Sequence, residues 1–152
     1  MANHPELLKR WLVFANYILG KATLPARQRE LIILRIGYLC GSEYEWGPHV
    51  LIPRRVNMID EEIRRIQIAP DAKDWGDADR LLLKATDELH ADAHVGEATW
   101  NGLAKHFNTQ QLMGIVFTVG QYRLVSMALN SFGVQLDAGL PGFSIQKRSS
   151  PP

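Results

Sequence analysis

At 152 residues the chain has the size of one domain with a full hydrophobic core, and 46% apolar with 22% charged residues excludes a disordered polymer. A net charge of +1 leaves no overall field to recruit nucleic acid or an anionic membrane. The single cysteine, Cys40, excludes an internal disulfide, a Cys-x-x-Cys redox pair and a thiolate zinc site, and is compatible with a reducing cytoplasm.

In chain order the pattern predicts helices throughout. Leu7, Leu8, Trp11, Leu12, Phe14, Ala15 and Ile18 form a 3.6-residue stripe from Pro5 to about Leu19, with proline at the first turn and Gly20 as the stop. A second helix opens at Leu24-Pro25 and carries Leu31, Ile32, Ile33, Leu34, Ile36 and Leu39 nearly all round, which requires burial on most sides. A strand over Leu31 to Ile36 is the alternative, but the Arg27-Gln28-Arg29-Glu30 lead-in and the length favour helix. The packing expected of Cys40, at the end of this helix, is that of a core thiol.

A third helix is expected from Ser42 to about Val56, kinked or broken near Val50 to Ile52 by Pro53, with Asn57 as a left-handed cap. Asp60-Glu61-Glu62 opens a short helix through Ile66, and Ala69 to Gly76 is a loop. Further helices follow from about Asp77 to Ala91 and from Glu97 to His106. The last runs from an Asn108/Thr109 cap to Ser131, ended by Gly133, and is apolar almost all round. Two such helices are hard to cover in so small a chain, so a homo-oligomer is expected. From Val134 the periodicity is lost, and Lys147 to Pro152 reads as a frayed tail or an arm over a neighbour. The domain is therefore placed at 1–135, with an irregular tail at 136–152. The N-terminus lacks a signal-peptide pattern, and no apolar run approaches the roughly 20 residues of a membrane span. A cytoplasmic protein that engages neither membrane nor nucleic acid is expected.

The block Ser42-Glu43-Tyr44-Glu45-Trp46-Gly47-Pro48-His49 concentrates the chemistry. Residues i and i+4 share a helix face, so Glu45 and His49 can meet as an acid/base pair in one cavity. The competing reading makes Ser42 an N-cap and Glu45 its N3 partner in a capping box, with His49 an ordinary histidine. Both arrangements remain open from spacing. Arginines cluster at Arg27/Arg29/Arg35, Arg54/Arg55 and Arg64/Arg65, mostly as solvated helix faces. His4, His90 and His106 read as ordinary surface or core histidines.

Glu30, then Ser42-x-Tyr44-Glu45-Trp46-x-x-His49, then Asn57-Met58-Ile59-Asp60-Glu61-Glu62-Ile63 resembles the carboxymuconolactone decarboxylase family, which shares its fold with the alkylhydroperoxidase D proteins. The resemblance spans about residues 24 to 135, although the family's Gly-Leu-Ser turn is Asn57-Met58-Ile59 here. Aligned on His49, the two cysteines of the peroxidase branch fall at Ser42 and Glu45, so its thiolate chemistry has no sulfur to use. The resemblance implies an all-α helical bundle of six to seven helices, assembled as a trimer or hexamer, with no organic cofactor or metal. It implies decarboxylation of a small, anionic, unsaturated lactone or acid. His49 would transfer the proton, with Glu45 or Glu30 orienting it or acting as second acid/base. Tyr44 and Trp46 would form pocket wall or core, and Arg27 or an arginine of another subunit would hold the leaving carboxylate. Two other readings stay open: a metal site built from Glu30, Glu45 and His49, and a ligand-binding oligomer without catalysis.

Overall fold

The structure, a computed structural model, describes residues 3–51, 56, 58–68 and 70–143. Seven helices and no strand occur among them: α1 (Pro5–Gly20), α2 (Ala26–Leu39), α3 (Glu43–Leu51), α4 (Asp60–Ile68), α5 (Asp77–Asp92), α6 (Glu97–Leu103) and α7 (Thr109–Ser131). Pro53, Asn57 and the arm from Lys147 lie outside the described residues, as do Arg54 and Arg55. Within the described residues α3 spans Glu43–Leu51 and contains Pro48, and the stretch through which it was expected to continue toward Val56 lies outside them. α6 stops at Leu103, three residues short of the expected His106.

α2 is the central element, packed against α3, α4, α5 and α7. Every residue from Glu30 to Gly37 is buried, as an all-round apolar helix demands. At its end Cys40 closes the helix and Gly41 takes φ +62°, a left-handed turn that strains any residue with a Cβ. That reversal folds α3 back along α2. α7 turns Leu112, Ile115, Val119 and Tyr122 to the core. Its start is a capping box of Asn108 and Gln111, with each side chain bonded to the other's amide at 3.0 Å. Beyond Gly133 the chain is irregular but not detached, since Phe143 packs edge-on to both Tyr38 and Trp46, and Leu136 lies over Gly47.

Three expectations need correction. The arginines of α2 are not solvated. Arg27 donates to Asp79 and Glu62 at 2.5 Å each, tying α2 to α5 and α4. Arg35 is buried, forks onto Asp87 at 2.6 and 2.8 Å, and donates to the Ile66 and Gln67 carbonyls. Replacing Arg35 by Ala strands these acceptors and is expected to cost about 3 kcal/mol, read as a lowered urea midpoint at unchanged slope. The α1 stripe is only half used: Ala15 and Ile18 are buried, while Leu7, Leu12 and Phe14 are exposed. Finally, α7 is long and apolar enough to cross a membrane by length and composition, contrary to the expectation that no run approaches a span, although its inward face is part of the core.

Candidate active site

Helices α2, α3 and α7 converge on His49. Glu45 and His49 lie one turn apart on α3, and the turn at Gly41 sets both beside Glu30 of α2. Glu30 Oε2 stands 2.7 Å from His49 Nδ1, and Glu45 Oε1 stands 3.1 Å from Nε2. Both acids are buried, and the histidine side chain is 12% exposed. Tyr122 of α7 closes the cluster, its ring edge-on to the imidazole at 87° with centroids 5.4 Å apart.

The capping-box reading of Ser42 fails on this geometry. The Glu45 carboxylate is turned to His49, and the buried Ser42 Oγ has no hydrogen-bond partner. Ser42 still occupies the cap position through its backbone, with its carbonyl accepting from the Trp46 amide at 3.0 Å.

Burial alone would push the His49 proton off, because a charged ring loses hydration. Hydrogen bonds to Glu30 and Glu45, and their charges, more than offset that loss and raise its pKa to about 9. At neutral pH the ring is therefore an imidazolium, hydrogen-bonded through Nδ1 to Glu30 and ion-paired through Nε2 with Glu45. Such a group is an acid, not a base. The Tyr122 hydroxyl is driven far above its ordinary value, first by burial and then by the two neighbouring carboxylates. It stays a neutral phenol.

Glu30, Glu45 and His49, the acid/base set expected from the sequence, converge. The side chains expected to hold substrate do not join them. Trp46 is 0% exposed and packed between Tyr38 and Phe143, so it is core and not pocket wall. Tyr44 is half-buried and lines a separate cleft of about 470 Å³ with Glu43, Asn130, Leu136 and Phe143. Arg27 is occupied by Glu62 and Asp79. Arg29, which the sequence placed in the same cluster, is the cation beside the site: its Nε lies 4.0 Å from Glu30 Oε1. Arg29 and Tyr122 are the residues that sequence reasoning missed here. The only available signal for Arg29 was its adjacency to Glu30.

With Nδ1 and Nε2 both facing carboxylates, His49 has no free lone pair for a metal. Among the described residues no three His, Cys, Asp or Glu side chains are arranged to hold one. Cys40 lies away from this centre, with Sγ 3.8 Å from His90 Nδ1. Burial pushes its thiol pKa up against the opposing Arg123 and Ser126, which disfavours the reactive thiolate.

The helical arrangement is that of the alkylhydroperoxidase D-like proteins. A protein of unknown function from Agrobacterium tumefaciens, with a suggested AhpD assignment, superposes with a TM-score of 0.83 at 20% identity, over 90% of this chain and 94% of that one. A peroxidase-related protein from Ralstonia eutropha JMP134, described as an alkylhydroperoxidase AhpD core, gives 0.80 at 17% identity, over 90% and 74%. The debrominase Bmp8, solved with 2,3,4-tribromopyrrole, gives 0.79 at 14% identity, over 91% and 74%. At such identities the likeness concerns the fold. The profile of the carboxymuconolactone decarboxylase family matches residues 5–88, more than half of the sequence, and the chain belongs to that family. No curated protein sequence matches it significantly.

Proposed function

We propose that this protein is a cofactor-free proton-transfer enzyme, acting as a decarboxylase on a small unsaturated lactone or carboxylic acid. The observation that supports this is the doubly clamped His49, a nearly sealed imidazolium held by Glu30 at 2.7 Å and Glu45 at 3.1 Å. Loss of carbon dioxide breaks the bond to the carboxyl carbon and leaves its electron pair on the conjugated skeleton as an enolate. A proton must then reach carbon. His49 Nε2 is the donor in this scheme, because its partner Glu45 holds it through the longer contact. Glu30 fixes the other edge of the ring and disfavours loss of that proton. Glu45 then returns a proton from solvent to the imidazole, so no net charge accumulates. The burial of the site, with the Tyr122 ring against the imidazole, restricts water that would otherwise protonate the enolate at random. The same apparatus serves isomerisation or dehydration, since one fold hosts many reactions; a debrominase shares this one.

The test is a screen of unsaturated lactones and β-keto acids for carbon dioxide release and for deuterium uptake from solvent, run with the wild type and a His49→Gln variant. His49-dependent turnover on any of these supports the reading. Binding without turnover across the screen makes the protein a ligand-holding scaffold.

The reading includes a homo-oligomer of trimeric or hexameric size. Its support is the apolar groove that α1 and α7 leave uncovered, where Phe14, Tyr17, Met113 and Phe117 are exposed around one cleft. A Phe117→Asp variant is expected to drop to a lower mass by light scattering while keeping its helicity. An unchanged mass, or a wild type that already runs as a single chain, counts against it.

A further inference from the structure

One donor at the His49 centre is left without an acceptor. Arg29 Nε is sealed from solvent and has no hydrogen-bond partner, and Glu30 Oε1 at 4.0 Å is beyond hydrogen-bond reach. The other two arginines of α2 are satisfied, Arg27 by two carboxylates and Arg35 by a carboxylate fork and two carbonyls. The contrast is sharpened by position. The first turn of α2 contains no acid and no side-chain cap, so the positive end of its dipole adds to the field of the nearby guanidinium groups. Arg27 has two hydrogen-bonded counter-ions there; Arg29 has only Glu30, ion-paired at 4.0 Å with no hydrogen bond on Nε.

Arg29 also belongs to the site by placement. It precedes Glu30 in the chain, and its charge acts on Tyr122, whose ring abuts His49. Two carboxylates around one imidazolium leave a net negative cluster that would repel an anionic substrate. The Arg29 guanidinium brings the formal sum to zero. Its planar fork is also the donor set that matches a carboxylate through two parallel N–H···O bonds.

We infer that Arg29 is the anion-holding residue of the His49 centre, receiving a carboxylate or enolate oxygen of the substrate in its guanidinium fork. This rests on the acid role proposed for His49, and it assigns the anion to a residue of the same chain and not to Arg27. The occupant is a small planar carboxylate.

The test is calorimetric titration of the full-length protein with 2-furoate, using neutral 2-furamide as control. It compares the wild type with Arg29→Gln, Arg29→Lys and the surface variant Arg64→Gln, each first checked for its melting transition. The wild type and Arg64→Gln are expected to bind 2-furoate alike, with Arg29→Gln weaker by about tenfold or more. Arg29→Lys should fall between them, because it keeps the charge and loses the fork. The amide should show no dependence on Arg29. Equal 2-furoate affinity in folded Arg29→Gln and wild type overturns the inference, as does a wild type that does not bind 2-furoate. On any substrate found in the screen, Arg29→Gln should raise KM more than it lowers kcat, the reverse of His49→Gln. Arg29-dependent binding without turnover would leave the anion site standing and remove the catalytic reading. His49-dependent turnover with a KM indifferent to Arg29 would do the opposite.

Discussion

His49→Gln is expected to lower turnover by about 10²- to 10⁴-fold, the usual contribution of a positioned proton donor. Glutamine keeps one donor nitrogen for a neighbouring acid, but it has no proton to give at neutral pH. Removing the cation between two buried carboxylates also destabilises the fold, by about 3 kcal/mol or more. Activity must therefore be compared below the variant's melting temperature, with circular dichroism showing retained helicity. Glu45→Gln separates the two effects, since it leaves Glu30 and the imidazolium paired. It should lose turnover with a smaller loss of stability. Wild-type rates in a folded His49→Gln protein would end the catalytic proposal.

Folding stability should fall as pH rises from about 6.5 to about 9. The His49 pKa is higher in the folded protein than in the unfolded chain. Its contribution is therefore complete below the unfolded value and disappears as pH passes through the folded one. The window corresponds to about 3 kcal/mol in order of magnitude. Chemical denaturation at fixed temperature across this range measures it, with His49→Gln as the reference in which the slope disappears. A wild-type slope identical to that of His49→Gln would show that the ring is not held as a cation. Turnover should follow the same proton, declining on the alkaline side as the imidazolium is lost.

The helices were largely legible because their determinants are local. Pro5, Asn108 and Gly133 punctuate the chain, and apolar spacing over ten to twenty residues identifies α2, α5 and α7. The pairing of Glu45 with His49 was legible for the same reason, being an i,i+4 relation within one helix. Glu30 entered through the family pattern, since nothing local connects it to a histidine 19 residues later. Ser42 misled because the Ser-x-x-Glu spacing suits a capping box, yet a carboxylate bonded to a buried imidazolium gains more than one bonded to a helix-end amide.

The choice among the arginines could not be read at all. Arg27, Arg29 and Arg35 share one helix and one residue type. Asp79 and Asp87, each 52 residues further on, satisfy Arg27 and Arg35 and leave Arg29 open. The fate of Trp46 likewise turned on Phe143, nearly a hundred residues away.

By itself, then, the amino-acid order determined an all-helical chain, its approximate helix limits, the absence of a cysteine pair from the reactive block and the juxtaposition of Glu45 with His49. Only the tertiary structure brought Glu30 against the imidazole, buried the ring between two acids that favour its charged form, and left one arginine with an open hydrogen-bonding group. Helix periodicity and capping are set by neighbours a few residues apart, whereas charge state and free valence depend on burial and on partners that meet only when distant segments pack.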